Sequence, residues 1–199
     1  MLSENREEQE RHGYIHTLRE ILQQPSTWLD SAERMIAKSP ELLRRMEGVR
    51  SLVLTGSGSS EYAGACVRLV LQNALGFAAQ TVGGGALLTH GARAVPPERP
   101  GLMVSLARSG DSPESVGAVS LMLDTEPLLR HLVITCNQQG QMAQICARHP
   151  GHCKSFCLDF IRLCRTDATG RQFIAGHWRQ PRHFGHHAVK GGKISAFGA

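Results

Sequence analysis

Short apolar runs, each closed by a small-residue loop and followed by helix-forming sequence, limit the fold of this 199-residue chain more than any other feature. The runs are Ser51 to Thr55, Ala79 to Val82, Leu102 to Leu106 and Leu132 to Thr135. Between them lie helical stretches: one with Ala63, Cys66, Val67, Val70 and Leu71 along an apolar stripe, one from about Pro113 to Leu123, one from Gln139 to Arg148. Largely unbroken apolar strands that alternate with helices imply a parallel sheet covered on both faces. The expected fold is therefore α/β, a three-layer doubly wound parallel sheet with right-handed crossovers. Val95 to Pro100 reads as the loop into the third strand, and no internal repeat is evident.

Upstream, Leu18, Ile21 and Leu22 recur at helical spacing, and Pro25 is expected to stop that helix. A second helix should begin near Ser26, with Trp28, Leu29, Ala32 and Met35 on one side. This divides the chain into an N-terminal helical segment (1–48), a sheet domain (49–150) and a tail (151–199). The amphipathic lead-in should pack on the core or on a partner subunit.

Localised charge excludes one class of function. Residues 1–150 carry 14 Lys and Arg against 15 Asp and Glu, a balance of −1, whereas 151–199 carry 8 against 2, a balance of +6. The body therefore offers no electrostatic case for nucleic-acid binding, and a basic tail is the minor route to such a partner. No apolar run is long enough to cross a bilayer, and the Glu-rich start is unlike a secretion signal, so the expected location is cytoplasmic. Cys66 and Cys136 fall in apolar segments, where reduced cysteine behaves as a small hydrophobe. That placement argues against a disulfide framework. Cys146, Cys153, Cys157 and Cys164 lie near His149 and His152, but no C-x-x-C pair is present, which argues against zinc.

Chemistry concentrates at two strand ends, where open parallel sheets bind ligands. The first strand leads into Thr55-Gly56-Ser57-Gly58-Ser59-Ser60, and the third into Ser105-Leu106-Ala107-Arg108-Ser109-Gly110-Asp111-Ser112-Pro113-Glu114. Glycines let backbone N–H groups approach an anion, a helix N-terminus adds positive potential, and serine hydroxyls donate without bringing charge. Arg108 adds a cation, and Pro113 suits a first helical turn. Each loop alone could be an ordinary helix cap, with Ser59 or Ser60, and Asp111 or Ser112, in that role. The first loop lacks the Gly-Lys of a Walker sequence, and Glu61 stands where a dinucleotide fingerprint needs its third glycine. Two such loops on one sheet edge favour phosphate binding.

These loops resemble the SIS domains of sugar isomerases and sugar-phosphate-binding regulators. Leu54 to Gly64 (LTGSGSSEYAG) is similar to the family's first loop, Ser105 to Val119 (SLARSGDSPESVGAV) to its second, and Ile134 to Asn137 with Gly140 to the segment after its fourth strand. Thr17 to Trp28 and Arg108 resemble the tagatose-6-phosphate ketose/aldose isomerase group, which includes galactosamine-6-phosphate deaminase/isomerases. The resemblance implies a flavodoxin-like SIS fold and a phosphorylated sugar as ligand. Ser59 and Ser60 would hold the phosphate from the first loop; Ser109, Ser112, the backbone at Gly110 and Arg108 would hold it from the second. Glu114 would start the following helix. Homo-oligomers are also implied, and neither metal nor other cofactor is required by these residues.

The resemblance covers residues 17 to 148. Enzymes of this group are usually about twice as long, and their second SIS half supplies the acid/base groups for proton transfer between C1 and C2 of the sugar. No serine loop of a second SIS half is evident here, no catalytic base can be named, and His90 reads more readily as a solvated loop residue than as a catalyst. Lys154 to Leu158 is a weak candidate for an edge strand. Beyond it come five arginines (Arg162, Arg165, Arg171, Arg179, Arg182) and four histidines from His177 to His187. A metal site from His183, His186 and His187 and a polyanion-binding tail are two readings of this segment; the preferred one is out-of-frame or degenerate sequence. Three functions therefore stand open: a phosphosugar isomerase or deaminase, a truncated module that binds phosphosugar without turnover, and, least favoured, a regulator whose DNA-binding domain is not evident.

Overall fold

The computed structural model describes residues 2–158. The five tail arginines, the four histidines from His177 to His187 and Cys164 lie outside them. Two helices, α1 (Arg6–Arg11) and α2 (Ile15–Met46), precede the sheet. The sheet domain runs β1 (Ser51–Gly56), α3 (Ser59–Leu75), β2 (Ala78–Gly83), α4 (Gly84–His90), β3 (Gly101–Ala107), α5 (Pro113–Thr125), β4 (Leu129–Thr135), α6 (Gln141–Arg148) and β5 (Cys153–Cys157).

All five strands are parallel in the order β2-β1-β3-β4-β5. The chain steps from β1 outward to β2 and then back across β1 to β3, which places the topological switch point between β1 and β3. Alternate side chains build two cores. Val53, Met103 and Val133 face the α4–α5–α6 layer with Leu87, Val119, Met122 and Met142, all buried. Leu52, Leu54, Leu102, Val104 and Leu132 face the other layer, where Leu42 and Met46 of α2 and Leu71 and Leu75 of α3 pack. The three-layer doubly wound sheet is as expected from the apolar runs.

Several local expectations are corrected. Pro25 does not end the first long helix; α2 continues through both Pro25 and Pro40. The acceptor that Pro40 strips of its donor, the Ile36 carbonyl, is met by Ser39 Oγ at 2.7 Å, which offsets part of the cost of an internal proline. The sheet also runs past residue 150: the weak edge-strand candidate at Lys154 to Leu158 does form a strand, β5, which pairs with β4 from His131↔Cys153 to Thr135↔Cys157. On α3, Leu71 and Leu75 face the core, whereas Val67 and Val70 of the expected stripe are exposed. Cys66 is exposed with them, while Cys136 is buried. The argument against disulfides fails at one pair. The tight return from α6 into β5 brings Cys146 and Cys153 together in a disulfide.

One buried group carries a prediction. His131 of β4 is fully inaccessible, and neither ring nitrogen has a hydrogen-bond partner. Burial pushes its imidazole down to about 4, helped by the nearby His152 and His149. In the unfolded chain the ring titrates near its ordinary value, about 6.5. Between those two pH values only the unfolded chain takes up the proton, so stability is full above pH 6.5 and falls as pH drops toward 4. The loss is about 2 kcal/mol at pH 5. Urea titrations of the wild type and His131→Leu at pH 7.5 and 5 check this. The wild type should lose stability at pH 5, and the variant should lose markedly less; equal losses would remove His131 from the explanation.

Candidate functional site

The β1–α3 turn folds back tightly on itself. A Cβ on Gly56 would lie 2.8 Å from Ser60 Cβ and 3.0 Å from the Glu61 nitrogen, so only glycine lets α3 start this close to the strand. Gly58 takes a φ of 58°, a left-handed value that favours glycine. Ser59 then opens α3 with Ser60 behind it. The amides of Gly58 and Ser59 donate to nothing among the described residues, as expected at a helix start.

The β3–α5 loop is held from one side only. Cys136 N–H and Thr135 Oγ1 donate to the Arg108 carbonyl at 3.1 and 3.2 Å. Asn137 Nδ2 donates to the Ser109 carbonyl at 3.1 Å, and Met142 N–H to the Gly110 carbonyl at 3.0 Å. Asp111 Oδ1 accepts from Gln141 N–H at 2.9 Å, capping α6. Three successive carbonyls are thus turned toward the β4–α6 segment. The amides of Ser109, Gly110 and Ser112 make no hydrogen bond among the described residues. Carbonyls withdrawn and amides left over make the kind of backbone surface that receives an anion. Gly110, at φ 72°, is the residue that permits the reversal.

Between these loops lies a cleft of about 310 Å³ at the carboxyl ends of β1, β3 and β4. Ser59, Ser60 and Ala63 line it from α3, Leu106 and Ala107 from β3 with Arg108 just beyond it, and Ile134 from β4 with Cys136 just beyond it. It therefore sits at the switch point, where a doubly wound sheet places its ligand. Of the sequence-derived candidates, Ser59, Ser60 and Arg108 share this cleft; Ser109, Gly110 and Ser112 stand on the adjoining loop, outside its lining. Arg108 is exposed and forms no ion pair among the described residues. Glu114 lies in the first turn of α5 and is exposed. His90 ends α4, exposed, and is no part of the cleft lining.

Sequence reading did not single out Ser57 and Ser115, whose hydroxyls meet at 2.8 Å and tie the first loop to α5. Ser57 between two glycines looks like a turn residue and Ser115 like an ordinary helix position, and only the tertiary register pairs these two. Among the described residues no cluster of three His, Cys, Asp or Glu is arranged to hold a metal. No helix among them is long and apolar enough to cross a membrane.

With the cleft in place, comparison with known proteins is informative. No family model matches the chain. An AgaS relative from Streptomyces coelicolor is 39% identical over 142 residues, 68% of this chain and 37% of the relative. The D-galactosamine-6-phosphate deaminase AgaS of Shewanella sp. (strain ANA-3) is 34% identical over 151 residues, 72% of this chain and 39% of the relative. The crystal structure of tagatose-6-phosphate ketose/aldose isomerase from Escherichia coli superposes with a TM-score of 0.67 at 28% identity, over 80% of this chain and 44% of that one. The chain belongs to the SIS sugar-isomerase family. It carries a single SIS sheet among its described residues, and it spans under two fifths of the length of these curated relatives.

Proposed function

We propose that this SIS domain binds a phosphorylated hexose of the galactosamine 6-phosphate or tagatose 6-phosphate type. The observation that supports it is the cleft at the switch point, lined by Ser59, Ser60 and Arg108 beside a loop whose Ser109, Gly110 and Ser112 amides are unspent. In this reading the Arg108 guanidinium and the serine hydroxyls hold the phosphate oxygens, and the free amides complete their hydrogen bonding. Leu106, Ala107 and Ile134 supply an apolar wall for the sugar ring. The relatives are named for deamination and for ketose/aldose isomerisation, and both chemistries need a group that moves a proton. No His, Asp, Glu or Lys lines the cleft. The described residues thus support a binding module within a longer isomerase architecture better than a self-sufficient catalyst.

Thermal melts with galactosamine 6-phosphate and tagatose 6-phosphate test the binding. At a ligand concentration of 100 times Kd the folded chain gains about 2.7 kcal/mol, a shift of several degrees. Inorganic phosphate should compete, and ammonia release from galactosamine 6-phosphate should stay at the uncatalysed rate. No shift with either sugar phosphate would defeat the binding reading, and measured turnover would defeat the binding-module one. We also propose that the chain self-associates, a reading supported by the large apolar side chains left exposed on α2 and α3.

A further inference from the structure

Ser57 stands between Gly56 and Gly58 in the β1–α3 turn, and Ser115 is buried in the first turn of α5. Their hydroxyls meet at 2.8 Å although 58 positions separate them in sequence. Neither residue lines the cleft. Each is nevertheless close to a serine proposed to hold phosphate: Ser57 precedes Ser60 by three positions, and Ser115 follows Ser112 by three. The Ser57 carbonyl also accepts from Ser60 N–H at 3.3 Å. A continuous run of hydrogen bonds therefore leads from Ser60 through Ser57 to Ser115.

Strands β1 and β3 stay in register up to Thr55↔Ser105. Beyond that pair the two chains part, one into α3 and the other into the β3–α5 loop. The hydroxyls of Thr55 and Ser105 are buried but make no hydrogen bond among the described residues, so they do not tie the strand ends together. The carbonyls of Arg108, Ser109 and Gly110 draw the β3–α5 loop toward the β4–α6 segment, away from β1. The Ser57–Ser115 bond acts in the opposite sense and fastens the β1–α3 turn to the start of α5. Ser115 is its fixed end. A Cβ on Gly84 would lie 3.2 Å from the Glu114 carbonyl and 3.3 Å from the Ser115 nitrogen, so the start of α4 is packed against that first turn. Ser57 is the yielding end, half-buried on a turn with glycine on either side. A single phosphate that touches both turns needs its donors held to within about 0.5 Å.

We propose that Ser57 and Ser115 are a positioning pair, whose hydrogen bond sets the spacing between the two turns that receive the phosphate. Neither hydroxyl touches the ligand; both act through Ser60 and Ser112. The inference rests on the phosphosugar reading above and deepens it by naming what holds the two halves of that seat together.

Titration calorimetry of the full chain with galactosamine 6-phosphate, well below the melting range, tests the pair. Ser57→Ala and Ser115→Ala should each weaken binding about tenfold, and the double variant also by about tenfold, because either substitution removes the same bond. Ser57→Thr keeps the hydroxyl and should recover most of the affinity lost in Ser57→Ala. Because Ser57 is half-buried, that comparison stands by itself if Ser115→Ala fails to fold. Melting curves run in parallel separate positioning from stability: a bond that only held the fold together would lower Tm and leave the affinity of the folded chain unchanged. Losses that multiply to ~100-fold in the double variant would make the hydroxyls independent contacts and overturn the pair. Wild-type affinity in Ser57→Ala would overturn the positioning role and leave the phosphosugar reading standing. A wild type that binds no sugar phosphate would overturn that reading and this inference with it.

Discussion

Gly140→Ala is expected to destabilise the chain by about 3 kcal/mol and to lower its melting temperature by roughly 6–12 °C. Gly140 has φ −64° and ψ 153°, values open to any residue, so the cost is one of space alone. A Cβ there would run into the Ser109 carbonyl oxygen and lie 3.2 Å from Gly110 Cα and 3.3 Å from the Asn137 carbonyl oxygen. All three are backbone atoms and cannot rotate away, unlike the end of a side chain. Relief requires moving the β3–α5 loop off the β4–α6 segment, which would break the Asn137 bond to Ser109 and the Met142 bond to Gly110. The same variant should therefore lose affinity for a sugar phosphate even below its melting range. Gly85→Ala is the matched control, because a Cβ at Gly85 meets nothing within 4 Å. A Gly140→Ala protein that melts like the control would contradict the packing described here.

Arg108→Glu is expected to weaken phosphosugar binding by at least ~100-fold while leaving the fold intact. A charge-assisted hydrogen bond to phosphate is worth about 1.5–3 kcal/mol, and the substituted carboxylate adds repulsion to that loss. Because Arg108 is exposed and forms no ion pair among the described residues, its replacement strands no partner. Arg108→Lys keeps the charge but not the planar fork, so an intermediate loss of about tenfold is expected. Ser60→Ala removes one neutral donor and should cost about fivefold. Titration calorimetry orders the three, with circular dichroism and melting curves to establish that each is folded. Wild-type affinity in Arg108→Glu would place the phosphate elsewhere.

The central strands were legible because burial on both faces leaves an unbroken apolar signature: Leu52–Val53–Leu54, Leu102–Met103–Val104 and Leu132–Val133–Ile134 need no tertiary information. The edge strand β5 is different. Cys153-Lys154-Ser155-Phe156-Cys157 has one neighbour and carries a lysine that pairs with Glu41 of α2, so its pattern gave only a weak edge-strand signal. Pro25 misled for a related reason. A proline is a local stop signal, yet a single serine such as Ser39 can restore an acceptor of the kind that a proline orphans. At the site, the glycines and serines announced two anion-receptive loops, and Ser59, Ser60 and Arg108 do meet in one cleft. What could not be read was the direction of the second loop's carbonyls, which depends on Thr135, Asn137 and Met142 from a neighbouring crossover, and the Ser57–Ser115 contact. The turned-out apolar face of α2 was also beyond reach, because an amphipathic pattern does not say whether it meets its own core or another surface.

The measurement closest to the central claim is calorimetric titration of the full chain with galactosamine 6-phosphate beside unphosphorylated galactosamine. The cleft described here predicts saturable one-site binding of the phosphorylated sugar, its loss in Arg108→Glu, and no measurable binding of the free sugar. Equal affinity for both sugars, or binding that survives Arg108→Glu, would contradict a phosphate seat between the two serine loops.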